Sequence, residues 1–116
     1  MKPLIYGCMR LFSDVTDQQV YTTEQGMRHF AQAAGFQLAA VFHDVESGSH
    51  EAFYELGVAL RRADAHDVVL PSLRHLSTND VLQDALLDCL EDRFQAHVHV
   101  LATRTTQDNL SSADKR

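Results

Sequence analysis

Short apolar runs alternate along this chain with longer segments in which apolar residues recur at helical spacing. Most of the short runs are nearly continuous in apolar residues, as in strands that are buried on both faces of a sheet. The resulting order is β-α-β-α-β-α-β with short links. Because parallel strands are joined through helices by right-handed crossovers, this order predicts an open, mostly parallel α/β sheet of four or five strands with helices on both faces.

The predicted strands and helices are bounded by residues with known stop and start preferences. The strands are residues 4–9, 36–43, 68–70 and 97–102, and the helices are residues 22–35, 49–63 and 78–93. Thr22 and Gln25 form a capping-box pattern at the first helix, Ser49 is the predicted N-cap of the second, and Thr78 or Asn79 caps the third.

The chain is long enough for one domain. Its 116 residues can bury roughly two-thirds of the unfolded surface, so neither a disulfide nor a structural metal is needed for folding. We expect the domain to cover residues 1–102 and to be followed by a polar, mobile tail at 103–116. Cys8 and Cys89 each lie in an apolar run, which favours two reduced, buried thiols over a disulfide.

The charge balance argues against one class of function. Ten basic and sixteen acidic residues give a formal net charge of −6 and a pI near 5.5, which is the wrong sign for neutralising phosphates. We therefore expect no tight direct binding of nucleic acid. No apolar run approaches the ~18 residues of a membrane span, and the N-terminal apolar stretch is too short for a secretory signal. These features predict a cytoplasmic protein.

Ligands of open parallel sheets collect beyond the carboxyl ends of the strands, where the strand order reverses. This rule selects residues 8–10, 44–49 and 71–78. No glycine-rich phosphate loop or Walker-type lysine follows the first strand, so we predict no nucleotide cofactor. His97 and His99 share one face of the last strand, but the sequence identifies no third ligand for them, so we predict no metal site.

Five segments carry a resemblance to a known family. They are Tyr-Gly-Cys-Met-Arg at 6–10, Thr-Glu-Gln at 23–25, Ala-Ala-Gly-Phe at 33–36, Asp44 with Ser-Gly-Ser at 47–49, and Asp-Val-Val-Leu-Pro-Ser-Leu-Arg-His-Leu-Ser at 67–77. Their order and spacing resemble the N-terminal catalytic domain of the serine recombinases, the resolvase and invertase superfamily, and are nearer to the large serine integrases than to the small resolvases. The resemblance covers residues 4–101 and implies a resolvase-like α/β fold with flavodoxin-like topology.

The sequence departs from this family where the family carries its chemistry. The family's first strand ends in a Tyr-x-Arg-x-Ser pattern whose serine attacks a DNA phosphodiester, and the arginine and serine positions are Cys8 and Arg10 here. After the third strand the family has Leu-Asp-Arg-Leu and a further arginine. In this chain Arg74 takes the aspartate position, His75 the first arginine and Thr78 the second. Arginine has no nucleophilic oxygen and stays protonated, so the resemblance implies that the phosphoseryl chemistry is lost.

The substitutions favour a catalytically inactive domain that acts as a binding or regulatory protein in a DNA-related process, through a protein partner or as a homo-oligomer. An alternative is a repurposed enzyme with Cys8 as nucleophile, His75 as base and Asp44 as the residue that orients it. An active recombinase is disfavoured because the serine and the arginines are missing, and intact caps and apolar faces argue against a gene remnant without function. Arg10, Asp44, Arg74 and His75 form a candidate pocket for a small anion or an acidic partner at the strand ends.

Overall fold

The computed structural model describes residues 2–12, 14–45, 50–77 and 79–101. The strands are β1 (Leu4–Leu11), β2 (Gln37–Val45), β3 (Asp67–Leu70) and β4 (His97–Val100). They form one four-stranded sheet with the order β2-β1-β3-β4, and every pair is parallel. The prediction of an open parallel sheet is confirmed. Because β2 and β3 lie on opposite sides of β1, the strand order reverses between β1 and β3.

Within the described residues, three helices cover the two faces of the sheet. They are α1 (Asp17–Ala33), α2 (Glu51–Ala63) and α3 (Asp80–Asp88), and α3 continues into a π-helical turn, Cys89–Arg93. Another short element, a 3-10 turn at Leu73–His75, follows β3. No helix in the described ranges is both long and apolar enough to cross a membrane.

Alternate residues of β1 supply two separate apolar cores. Ile5 and Met9 point to the α1 side, where they pack with Met27 of α1. Tyr6 and Cys8 belong to the opposite core, which also contains residues of α2 and of the segment after α3. Because successive side chains of a strand point to opposite faces, one central strand can supply both cores.

The first helix begins earlier than predicted. Thr16, not Thr22, is its N-cap, and the Gln19 N–H donates to Thr16 Oγ1 at 3.1 Å while the Thr16 N–H donates to Gln19 Oε1 at 2.9 Å. The same threonine-x-x-glutamine spacing occurs at both places, and the chain uses the earlier one because Val20 also packs against the α1-side core. The predicted start at Thr22 is therefore wrong.

The other predicted boundaries lie closer to those of the structure. Asn79 is confirmed as a cap, because its side chain accepts from the Leu82 N–H at 2.9 Å. β1 and β2 each run two residues beyond their predicted ends, through Arg10 and Asp44. The predicted cap Ser49, Thr78 and the predicted tail at 103–116 lie outside the described residues.

Candidate functional site

Two charged side chains are buried where β1 and β2 end. Arg10 of β1 and Asp44 of β2 are register partners, and each side chain is only 4% exposed. The Arg10 Nη2 group donates to the Leu76 carbonyl at 2.9 Å and lies 4.0 Å from Asp44 Oδ2. A buried charge is costly unless it is paired and hydrogen-bonded. The carboxylate of Asp44 therefore compensates a guanidinium that belongs to the protein interior.

Asp44 also connects the end of β2 to the start of α2. Its Oδ1 atom accepts from the Ala52 N–H at 3.0 Å, and Ala52 is the second residue of that helix. The first N–H groups of a helix have no partner within it and favour a negative charge. One carboxylate thus balances Arg10 and satisfies an N–H group of α2.

On the side that faces β3, the end of β1 hydrogen-bonds to the ring of His75 instead of to a strand. β3 pairs with β1 only through Tyr6 and Gly7, and the Arg10 N–H donates to His75 Nδ1 at 2.9 Å. Burial of the ring, followed by the charges of Arg74 and Arg10, lowers the pKa of His75 to about 4. His75 is therefore neutral at pH 7, with Nδ1 as the acceptor and Nε2 carrying the proton.

Arg74 lies on the outside of this cluster. The side chain is exposed, and its guanidinium carbon lies 4.3 Å from the centroid of the Phe12 ring, in a cation–π contact. Phe12 meets the His75 ring edge-on at a centroid distance of 5.2 Å. Arg74 and Phe12 also line a polar cleft of about 470 Å³ between the end of β1 and the first turns of α1. A solute entering from solvent would meet Arg74 before the buried Arg10.

Cys8 belongs to the α2-side core rather than to this cluster. Its side chain is 2% exposed and packs in the same core as Tyr6 and Phe53. Burial, together with the charge of Asp44, raises the pKa of the Cys8 thiol to about 12, although the charge of Arg10 acts in the opposite direction. The thiol is therefore protonated at neutral pH and lacks the thiolate that a nucleophilic cysteine requires.

The structure thus brings Arg10, Asp44 and His75 into one bonded cluster and places Arg74 against its outer side. Sequence reasoning did not identify three contributors, namely the Leu76 carbonyl, the Ala52 N–H and the Phe12 ring. The first two are backbone groups, which carry no residue-type signal.

The two histidines of β4 differ in their surroundings. His99 Nε2 lies 3.0 Å from Asp67 Oδ1, and its ring is 5.3 Å and 5.7 Å from those of Phe30 and Phe36. His97 is exposed. Among the described residues, no three histidine, cysteine, aspartate or glutamate side chains are grouped so that they could hold a metal ion.

A parallel sheet of order β2-β1-β3-β4 with helices on both faces and charged residues at the strand ends defines a doubly wound α/β domain. Within that class, the chain is similar to the crystal structure of the C-terminal catalytic domain of ISC1926 TnpA, an IS607-like serine recombinase. The TM-score is 0.70 at 13% identity, over 90% of this chain and 73% of that chain.

It is also similar to the crystal structure of the N-terminal catalytic domain of TP901-1 integrase, with a TM-score of 0.68 at 16% identity over 84% of this chain and 76% of that chain. No family model and no curated protein matches the sequence. The chain has a fold like that of serine recombinase catalytic domains, and the predicted fold is confirmed.

Proposed function

We propose that this chain is a catalytically inactive, serine-recombinase-like domain that acts by binding, as a partner or regulator in a DNA-related process. One observation carries the proposal: Arg10, at the position where the resemblance expects the nucleophilic serine, is buried beside Asp44 and bonded to the Leu76 carbonyl. A nucleophile must have an unprotonated atom with an available lone pair that can reach the phosphorus. The guanidinium of Arg10 stays protonated at any physiological pH, and its charged end is held in the interior.

The electrostatics of the cluster support the same proposal. Phosphoryl transfer depends on cations aimed at the charge that develops on the phosphate. His75, at the first of the two expected arginine positions, is uncharged at pH 7, and Asp44 lies beside the guanidinium of Arg10. Such a site offers a phosphodiester less positive charge than the family pattern implies.

The alternative of a repurposed enzyme is weaker on the same geometry. Its nucleophile, Cys8, is a buried, protonated thiol in the α2-side core. Its base, His75, uses the unprotonated ring nitrogen to accept from the Arg10 N–H. Its orienting group, Asp44, accepts from the Ala52 N–H and lies beside Arg10. Each group therefore has a structural role that competes with the catalytic one.

The test is incubation of the protein with supercoiled plasmid, followed by denaturation to trap any protein–DNA adduct, with an active serine recombinase and its own site as the positive control. We expect no adduct and no change in plasmid topology. In a gel shift at ~150 mM salt we also expect no specific complex at the ~10⁻⁸ M affinities of specific DNA-binding proteins. An adduct that survives denaturation and requires this protein would refute the proposal.

A further inference from the structure

One side of α2 borders an apolar groove that opens over the sheet. The groove has a volume of about 590 Å³, and its floor includes Tyr6 and Phe42, whose rings stack at a centroid distance of 6.2 Å. Its wall is one side of α2, formed by Tyr54, Glu55, Val58, Ala59, Arg62 and Ala63. Tyr54 is 72% exposed and Val58 49% exposed. The groove also lies beside β2, which is at one edge of the described sheet.

The six helix residues of this groove form a pattern that is complementary to itself. About a point between Val58 and Ala59, a reversal of chain direction exchanges Tyr54 with Ala63, Glu55 with Arg62, and Val58 with Ala59. Two of these pairs match a large side chain with an alanine, and the third matches an acidic side chain with a basic one. A twofold axis brings each residue of one helix opposite its counterpart on the other, which is the condition for an isologous interface.

We propose that this groove binds a second copy of the same chain, with α2 packed antiparallel against α2 about a twofold axis between Val58 and Ala59. Each Tyr54 ring lies in the partner's groove against Ala63, above the partner's Tyr6 and Phe42 rings. Each Glu55 faces an Arg62, so the ion pair forms twice. The inference rests on the binding role proposed above and names the partner, while its test is independent of DNA chemistry.

The charge pair provides the sharpest test. In the full chain, Glu55→Arg places two guanidinium groups opposite each other at both symmetric positions, and Arg62→Glu places two carboxylates there. Both residues are exposed and lie on one helix, so both variants should fold, which thermal unfolding by circular dichroism checks. By sedimentation velocity over a concentration series, we expect each variant alone to raise the dimer dissociation constant by about tenfold or more.

An equimolar mixture of the two charge variants should associate again, because the heterodimer restores an opposite-charge pair at both positions. Val58→Asp provides a second disruption, because the axis places two copies of that side chain close together. Asp84→Arg and Arg28→Glu are matched controls on exposed positions of α3 and α1, and they should leave the dissociation constant unchanged.

Three results would overturn the proposal. The first is a chain that stays monomeric up to about 1 mM. Another is a dimer that neither Val58→Asp nor either charge variant weakens. The third is loss of association in both charge variants without recovery in their mixture, because recovery is required by the antiparallel register. None of these results bears on whether the chain forms a DNA adduct, so failure here and failure of the proposed function are distinguishable.

Discussion

Replacing Asp44 with asparagine removes one negative charge from the strand-end cluster and keeps an oxygen acceptor for the Ala52 N–H. Two unit charges separated by the 4.0 Å between Arg10 Nη2 and Asp44 Oδ2 interact by about 4 kcal/mol at an effective dielectric constant of about 20. Arg10 keeps its hydrogen bond to the Leu76 carbonyl and its other contacts. We therefore expect Asp44→Asn to lower the free energy of unfolding by about 2–4 kcal/mol.

The assay is urea unfolding at pH 7, followed by circular dichroism, for Asp44→Asn, Arg10→Met and the double variant. Removing one partner leaves the other as an uncompensated buried charge, whereas removing both does not. The double variant should therefore lose less than the sum of the single losses, by about 2 kcal/mol. Glu24→Gln is the control: Glu24 Oε2 and His43 Nε2 are only 2.6 Å apart, but this pair is partly exposed and should contribute about 1 kcal/mol or less.

Additive losses in the double variant would show that the two charges do not compensate each other. A loss of less than about 0.5 kcal/mol for Asp44→Asn would show that Arg10 does not depend on this carboxylate. In either case the argument that Arg10 is an interior structural residue would fail.

Three further predictions concern Cys8, His75 and Arg74. Burial raises the pKa of the Cys8 thiol to about 12. Iodoacetamide at pH 8 should therefore alkylate the less buried Cys89 first, which peptide mass spectrometry measures. Faster alkylation of Cys8 would favour the enzyme alternative. The pKa of His75 is lowered in the folded state to about 4 from an ordinary 6.5. Between these two pH values the unfolded chain binds more protons than the folded chain, so the free energy of unfolding falls as the pH is lowered through this range. His75→Asn, which keeps an acceptor for the Arg10 N–H, should reduce the loss measured by urea unfolding between pH 6.5 and 5 by about 1 kcal/mol. If the strand-end pocket binds a small anion, sulfate should raise the melting temperature saturably, and the saturable part should be absent in Arg74→Ala. An unchanged response in that variant would show that Arg74 binds no anion there.

The order of strands and helices was predictable because it depends on apolar periodicity, which the sequence displays directly. The ends of β1 and β2 were not. A charged residue ordinarily marks the end of a buried strand, so Arg10 and Asp44 appeared to terminate the runs before them. In the structure both are inside strands, because each supplies the opposite charge that the other needs for burial. Because the two charges lie on different strands, the sequence of either strand alone does not show that they compensate each other.

The candidate site was predictable in position but not in geometry. The rule that ligands collect at the carboxyl ends of parallel strands selected Arg10, Asp44, Arg74 and His75, and all four lie at that edge. The two arginines at this edge nevertheless have opposite environments. Arg10 is 4% exposed, whereas Arg74 is exposed and lies against Phe12. The difference depends on Asp44 and the Leu76 carbonyl, which only the folded chain brings to Arg10.

The fold and the strand-end cluster have separate physical origins. The two apolar cores that hold α1 and α2 on the sheet contain none of Arg10, Asp44 or His75. The strand-end cluster is held instead by hydrogen bonds and charges across β1, β2 and the turn after β3. Substitutions in that cluster can change its chemistry while the apolar cores continue to specify the sheet. The apolar cores therefore specify the recombinase-like fold seen at 13% and 16% identity, while the function that we propose depends on the strand-end cluster.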